Sequence, residues 1–171
     1  MRLFDKLTGT KRPNSGVALS SAEDVRVALL TLNGPNVPYL VRGATSSERA
    51  DLVAEWRIRE PAWHTYFARS QISRVLQVRM RIVPARHEVR ALDRQWDVTW
   101  AGGAPRLAVS TEYTRGQVHT ASRRWTLGQG PNGGLEATKT FHLDSSEIKN
   151  PLQHTVLQAG WTWRGVVVGR L

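Results

Sequence analysis

The chain has 171 residues, of which 40% are hydrophobic, enough for one domain that buries about two-thirds of its unfolded surface. It contains no cysteine, which excludes disulfides, thiolate nucleophiles and cysteine-ligated metals. No apolar run reaches the roughly 18 residues of a membrane-spanning helix, and charged residues interrupt the N-terminal stretch where a signal peptide would be apolar. We therefore expect a cytoplasmic protein without a transmembrane segment.

The charge of the chain is strongly basic. Lysine and arginine number 24 against 14 acidic residues, which gives a formal net charge of +10. Such an excess favours anionic partners, whether an acidic protein, nucleic acid or anionic lipid. The basic residues are nevertheless interleaved with acidic ones and do not form a block, a pattern that also fits an ordinary solvated surface.

Composition divides the chain into two parts. Residues 1–19 combine glycine, proline, asparagine and serine with basic side chains, which predicts a flexible basic N-terminal arm. Leu3, Phe4 and Leu7 are the apolar residues through which this arm would dock if it forms a strap. The remaining residues, 20–171, are expected to form a single domain.

Local signals place the first elements of this domain. Ser20 and Glu23 have the spacing of a capping box, in which each side chain satisfies a free backbone donor at the start of a helix. Ala54, Trp56 and Ile58 alternate with charged residues, as in a half-buried strand. The elements predicted here are, in chain order, a helix over about 21–32, a short strand at 39–41, a strand at 54–58 and a helix from Pro61 to about residue 70.

The longest patterned stretch runs from Val75 to Trp100. Apolar and polar residues alternate with period two on both sides of a turn that begins at Pro84, and this predicts a long antiparallel hairpin. The apolar positions change phase near Ala91 and Leu92. A β-bulge at this point would keep them on one face of the sheet.

The last third of the chain predicts further strands and one helix. The helix either begins at Pro151 with Asn150 as its cap, or begins near Asp144 and is kinked at Pro151, and in both cases it ends at Gly160. The other predicted elements are a strand at 107–113, an extended segment at 117–127, a flexible loop at 128–134, a strand at 137–143 and a closing strand at 161–167 that pairs inside the sheet.

The order of these elements indicates the fold class. Strands joined by short turns dominate the middle of the chain, and the helices occur singly. This order predicts an α+β fold with a largely antiparallel, twisted or curled sheet and about three single helices.

Motifs of catalysis and metal binding are missing from the sequence. The five histidines are scattered without the spacing of a metal pair, and there is no P-loop, nucleophile elbow or dinucleotide-binding fingerprint. We therefore predict no catalytic residue, no metal and no cofactor. An enzyme built on an apolar pocket with Glu55, His87 or Tyr113 is the least favoured hypothesis.

A cluster of arginines is the strongest candidate site. If the apolar residues of the predicted strands face the core, several guanidinium groups project together from the opposite face, where they can bind phosphate or carboxylate bidentately. These residues are Arg57, Arg59, Arg79, Arg81 and Arg90. The leading hypothesis is a non-enzymatic domain that binds an acidic protein or another anionic partner, and nucleic-acid binding is the alternative. Glu55 and Glu88 on the same face would instead make it a self-compensated surface.

Tryptophan supplies a second candidate. Six of the seven tryptophans lie on predicted strands, and five of these could line an apolar pocket for a small ligand or lipid tail if they point into a curved sheet. These are Trp56, Trp96, Trp100, Trp161 and Trp163. Packing in the core explains the same residues more simply.

Three segments carry a resemblance to known proteins: Ala54-Glu55-Trp56-Arg57-Ile58, His87-Glu88-Val89-Arg90-Ala91 and Gly160-Trp161-Thr162-Trp163-Arg164-Gly165. On these segments the chain resembles a set of small soluble bacterial proteins without an assigned activity, from about residue 20 onward. This resemblance implies no site. A fainter similarity is to the tubby-like and LURP-one-like barrels, which implies a sheet wrapped around a helix and the binding of a lipid or a protein partner.

Overall fold

The computed structural model describes residues 8–69, 72–109, 144–167 and 171, and the backbone of 125–129 and 135–139. Their elements are, in chain order, α1 (Ala22–Leu30), β1 (Tyr39–Gly43), β2 (Leu52–Trp56), α2 (Pro61–Arg69), β3 (Arg74–Val83), β4 (Glu88–Ala101), β5 (Ala104–Val109), β6 (Trp125–Gln129), β7 (Leu135–Lys139), α3 (Ser145–Gln158) and β8 (Thr162–Val166). The predicted α+β class is therefore confirmed.

Strand β4 is the central element of a six-stranded sheet. Strands β1 to β5 pair in sequence order, each with its neighbour and all antiparallel. Strand β8 pairs in parallel with residues 88–92 of β4, and β5 pairs with residues 96–101, so the two share one edge of β4. Among the described strands the sheet is open, and β6 and β7 form a separate antiparallel pair.

The predicted hairpin is confirmed, but the predicted β-bulge is wrong. Ala91 lies opposite Met80 and Leu92 opposite Arg79, within a register that is unbroken from one end of β3 to the other. The apolar residues of β4 instead change face after Ala91, because the next inward position is occupied by Asp93. An unbroken ladder therefore places alternate residues of β4 on opposite faces along its whole length.

The start of α1 differs from the prediction by one residue. Ser21, and not Ser20, is the N-cap, and its hydroxyl accepts a hydrogen bond from the Asp24 backbone N–H at 3.1 Å. The Asp24 carboxylate in turn accepts from the Ser21 N–H at 3.2 Å. Asp24 therefore completes the capping box that the sequence assigned to Glu23.

Ser20 has a different role, because its main chain joins the start of α1 to the end of α3. Its N–H donates to the Ala159 carbonyl at 2.9 Å, and its carbonyl accepts from the Trp161 indole at 2.9 Å. Gly160 between them has φ +78°, and a Cβ there would lie 2.7 Å from the Ala18 carbonyl oxygen. Glycine is required here for both its conformation and its size.

Helix α3 begins at the earlier of the two predicted positions. Asp144 is the N-cap and accepts a hydrogen bond from the Ser146 N–H at 3.0 Å, and Pro151 lies inside the helix. The alternative start at Asn150 is therefore wrong. The predicted pairing of the closing strand is confirmed, since β8 pairs with β4 on one side and forms a bridge to Lys11 on the other.

Several predictions fall partly or wholly outside the described residues. They include the docking residues of the N-terminal arm, much of the strand at 107–113, and most of the segments at 117–127, 128–134 and 137–143. The arm is described from Thr8 onward.

The core lies between the sheet and helices α1 and α3. Buried Val25 and Leu29 of α1 and Leu152 of α3 pack against fully buried Val78 and Met80 of β3. The alternation of strand side chains then assigns each residue of the sheet to the face that carries these helices or to the opposite face.

A buried ion pair also joins α3 to the sheet. The Lys149 ammonium contacts the Asp93 carboxylate, and their side chains are only 5% and 3% exposed. Each charge therefore depends on the other for stabilisation away from water.

We expect Lys149→Met to destabilise the protein by about 3–5 kcal/mol, because it leaves the Asp93 carboxylate buried without its ammonium partner. The double variant Asp93→Leu/Lys149→Met removes both charges and should recover most of this loss. Urea unfolding followed by circular dichroism measures both effects, with Lys11→Met at an exposed position as the control. Equal destabilisation in the single and double variants would contradict a dominant charge effect.

Candidate anion-binding site

The sheet face turned away from α1 and α3 is called the outer face here. The register places two adjacent rows of side chains on it, each crossing β1 to β4. One row consists of Leu40, Glu55, Gln77 and Arg94, and the next of Arg42, Val53, Arg79 and Leu92. Arg81 and Arg90, which lie opposite each other, follow in the next row.

Three of the five predicted arginines therefore share the outer face: Arg79, Arg81 and Arg90. The Arg90 guanidinium donates to the Glu88 carboxylate at 2.8 Å, and that carboxylate is also 3.6 Å from the Arg164 guanidinium. The charge of Arg90 is thus paired, as the self-compensated interpretation expects.

The other two predicted residues, Arg57 and Arg59, do not lie in these rows, and their assignment to a strand is wrong. Strand β2 ends at Trp56, and residues 57–59 form a 3₁₀ turn. The ladder with β1 ends here because the residue opposite Arg57 would be Pro38, which directly precedes β1 and has no N–H to donate. Arg57 instead donates to the carbonyls of Tyr39 at 3.0 Å and Gly34 at 3.2 Å.

A cleft of about 360 Å³ lies at one end of the outer face, beside the 3₁₀ turn Ser46–Glu48. We call it the arginine cleft. Four arginines line it together with one acidic residue, and the full lining is Ser47, Glu48, Arg49, Arg79, Arg81, Leu92, Arg94 and Leu171.

Arg94 and Arg49 were not among the predicted site residues. Arg94 was missed because the assumed β-bulge interrupts the alternation of β4, whereas an unbroken register places it on the same face as Arg90. Arg49 follows a turn that only the folded chain brings beside β3, and no sequence pattern indicates its position.

Arg42 binds the two glutamates nearest to the arginine cleft. Its guanidinium donates to both carboxylate oxygens of Glu48, at 2.8 and 2.9 Å, and to Glu55 at 2.9 Å. The hydrogen bonds from Arg42 lower the pKa of Glu48 to about 2, and the same bonds raise the pKa of Arg42. Both glutamates therefore stabilise Arg42 more directly than they stabilise the arginines of the cleft.

Side-chain and main-chain oxygens position Arg79 and Arg81. Arg79 donates to the Gln77 side-chain oxygen at 3.0 Å and to the Glu48 carbonyl at 3.2 Å. Arg81 donates to the main-chain oxygens of Leu171 at 2.7 Å and Arg49 at 3.0 Å. These contacts orient both guanidinium groups, and the two acceptors of Arg79 are neutral.

Two further observations indicate local strain and repulsion in the cleft. Arg49 has φ 51°, a left-handed conformation that is uncommon for a residue with a side chain. Burial, and after it the positive charge of Arg94, lower the pKa of Arg79. Within the described part of the chain Arg94 itself has no hydrogen bond or ion pair.

A second concave region, the apolar groove, occupies the adjoining part of the outer face. It has a volume of about 170 Å³, and its apolar lining includes Leu40, Trp56, Ile58, Val75, Trp96 and Leu107. Glu55, Gln77, Arg57, Arg59 and Glu60 supply its polar lining. Two of the predicted pocket tryptophans, Trp56 and Trp96, therefore line a groove.

The other three tryptophans have different positions. Trp161 and Trp163 are buried in the core, with exposures of 1% and 0%. Trp163 lies in β8, and Trp161 directly precedes that strand. The Trp100 indole donates to the Ile72 carbonyl at 3.0 Å. The prediction of one pocket lined by all five is thus wrong for these residues.

The residues suggested for an enzyme are not gathered into one described site. Glu55 lies on the outer face and accepts from Arg42 and Gln77, whereas His87 lies in the hairpin turn with its ring 5.6 Å from that of Trp161. Tyr113 lies outside the described residues. Over the residues whose positions are known, no cluster of three or more potential metal ligands occurs.

Comparison with known proteins adds no relative: no family model matches the chain, and searches of curated proteins and of solved structures found no match. The resemblance to small bacterial proteins and to tubby-like barrels stays a prediction. In the described part of the chain no helix has the length and apolarity needed to cross a membrane. The class of the molecule is thus defined by its own geometry, an α+β domain with an arginine cleft on an open sheet.

The Arg42–Glu48 contact predicts a dependence of stability on pH. Because folding lowers the pKa of Glu48 from 4.5 to about 2, its stabilisation is complete above pH 4.5 and is lost as the pH falls toward 2. We expect Glu48→Gln to destabilise the protein at pH 6 by about 1–2 kcal/mol more than at pH 3, allowing for solvent screening.

Urea unfolding at the two pH values measures this difference. Glu60→Gln is the matched control, since its carboxylate is 41% exposed beside Arg57. A Glu48→Gln effect of the same size at pH 6 and pH 3 would contradict the assignment.

Proposed function

We propose that the protein is a non-enzymatic binding domain that holds an anionic group, a phosphate or carboxylate, in the arginine cleft. One observation carries the proposal: Arg79, Arg81 and Arg94 line a single cleft, and the described hydrogen bonds of Arg79 are to neutral oxygens. Within the described residues, neither Arg79 nor Arg94 forms an ion pair with a carboxylate.

Like charges that share a cleft repel one another, and a bound anion would turn this repulsion into attraction. A guanidinium has five N–H donors, and Arg79 and Arg81 each use two nitrogens for the contacts that orient them. The remaining donors are available for the charge-assisted, bidentate hydrogen bonds that arginine forms with phosphate and carboxylate. The carbonyl contacts reduce the side-chain entropy lost on binding, because the two guanidinium groups are already held in place.

The shape of the cleft favours one anionic group over an extended nucleic-acid backbone. A backbone needs a row of cations along a groove, whereas these guanidinium groups line a single concavity of about 360 Å³. The net charge of +10 supports non-specific attraction to nucleic acid. Such attraction weakens steeply with salt and depends little on any one residue, whereas binding in the cleft depends on the arginines that line it.

Arg94→Met is the most direct test, because this side chain has no described contact whose loss would disturb the fold. We expect it to weaken binding of pyrophosphate at least tenfold, since a hydrogen bond to a charged group contributes about 1.5–3 kcal/mol. Isothermal titration calorimetry of the full chain in 150 mM salt, about physiological ionic strength, measures the affinity.

Arg86→Met is the matched control, because it removes the same charge from an exposed position outside both the cleft and the apolar groove. It should leave pyrophosphate binding unchanged. Equal weakening by both variants, or binding of random DNA that is steeply salt-dependent and unaffected by Arg94→Met, would contradict the proposed site.

A further inference from the structure

We propose that the ligand is an elongated amphiphile, whose anionic head occupies the arginine cleft and whose unbranched apolar chain lies in the apolar groove. This inference rests on the proposed function and adds the chemical class of the ligand. It predicts a single-chain alkyl phosphate or carboxylate taken up as a free molecule.

The arginine cleft and the apolar groove adjoin each other on the outer face. Along β3, Val75 and Gln77 line the groove, and Arg79 and Arg81 line the cleft. Residues two apart in a strand lie on the same face, roughly 7 Å from each other. The groove therefore begins one same-face position from where the cleft ends.

Strand β4 repeats this order. Trp96 lines the groove and Arg94 lines the cleft, two residues apart on the outer face. Trp96 lies opposite Val75, and Arg94 lies opposite Gln77. On both β3 and β4, the outer-face side chains therefore change from apolar in the groove to cationic in the cleft. The combined site extends along the direction of these strands.

The polar residues between the two regions determine the orientation of the ligand. Gln77 accepts a hydrogen bond from Arg79 and donates one to the Glu55 carboxylate at 2.8 Å. Glu55 lines the groove, so an anionic head placed there would lie beside a carboxylate. The head is therefore favoured in the cleft and the chain in the groove.

The apolar lining has surface left to bury. Leu40, Trp96 and Leu107 are only partly buried in the free protein, and Trp96 and Leu107 pack against the core. A bound alkyl chain would remove this surface from water, which is the driving force expected for such a ligand. Affinity should rise about two- to fourfold for each added methylene until the groove is filled.

The experiment is calorimetry of the full chain with methyl, butyl, hexyl and octyl phosphate, each below the concentration at which it forms micelles. We expect affinity to rise with chain length in the unmodified protein. Arg94→Met should weaken every member of the series by a similar factor, because it acts on the shared head.

A groove variant tests the chain separately. Leu107→Gln introduces a polar group on an edge strand and should remove most of the gain from methyl to octyl phosphate, while leaving methyl phosphate binding unchanged. Val109→Gln is its matched control on the same strand and face, at a position 51% exposed and outside the groove lining. Thermal unfolding of each variant verifies that the fold is retained.

The outcomes distinguish the proposed anion site from the proposed amphiphilic ligand. An affinity that depends on Arg94 but not on chain length would overturn the amphiphile and leave the anion site. Failure of every phosphate to bind would overturn both. Binding of octanol as tight as that of octyl phosphate, or weakening by Arg86→Met in place of Arg94→Met, would overturn the placement of the head. Binding only to vesicles that contain phosphatidic acid would overturn uptake of a free molecule.

Discussion

The unbroken pairing of β3 with β4 is the constraint on which the core and the candidate site both depend. It fixes which residues of the fourteen-residue strand β4 point toward the helices and which point away. Val89, Ala91 and Asp93 lie on the helix-facing side, and Arg90 and Arg94 on the other. A shift of one residue would exchange these two sets, placing guanidinium groups in the core and the Asp93 carboxylate away from Lys149. The buried Asp93–Lys149 pair thus specifies the register as well as joining α3 to the sheet, a role that buried ionic groups have in some proteins.

The arrangement of charge on the outer face follows from this register. Arg42, Glu48 and Glu55 form one network, and Arg90, Arg164 and Glu88 form another. Both networks pair arginine with glutamate, so most of the outer face is compensated. Between them Arg79 is held by carbonyl and amide oxygens, and Arg94 forms no described ion pair. The face therefore concentrates its unbalanced positive charge in one cleft, although basic residues are spread along the whole chain.

Positioning of these guanidinium groups depends on main-chain atoms that are distant in sequence. Arg81 binds the carbonyls of Arg49 and Leu171, 32 and 90 residues away. Arg49 provides its carbonyl from a left-handed conformation that a non-glycine residue adopts at some energetic cost. Strain at Arg49, whose carbonyl orients the Arg81 guanidinium, is consistent with a binding role for the cleft. The adjoining apolar groove extends the proposed site along the sheet.

The sequence by itself determined the class of the fold and most of its elements, because those depend on local periodicity and on end signals. The alternation from Val75 to Trp100 predicted the central hairpin, and Pro61 and Gly160 marked helix ends correctly, whereas Asp144 was only one of two alternative starts of α3. Residues 79, 81 and 90 were placed on one face for the same reason.

Only the tertiary structure decided how charges are paired and which concave regions result. Arg90 is paired with a carboxylate whereas Arg79 contacts neutral oxygens, and this difference depends on how strands and turns are placed. The end of β2 before Arg57 likewise depends on Pro38 across the ladder. In β4 the apolar residues shift from odd to even positions, which by itself predicted a β-bulge. A regular strand whose apolar residues lie first on one face and then on the other gives the same sequence pattern. Resolving that ambiguity requires knowing that Lys149 lies opposite Asp93, a contact between residues 56 positions apart that no local pattern encodes.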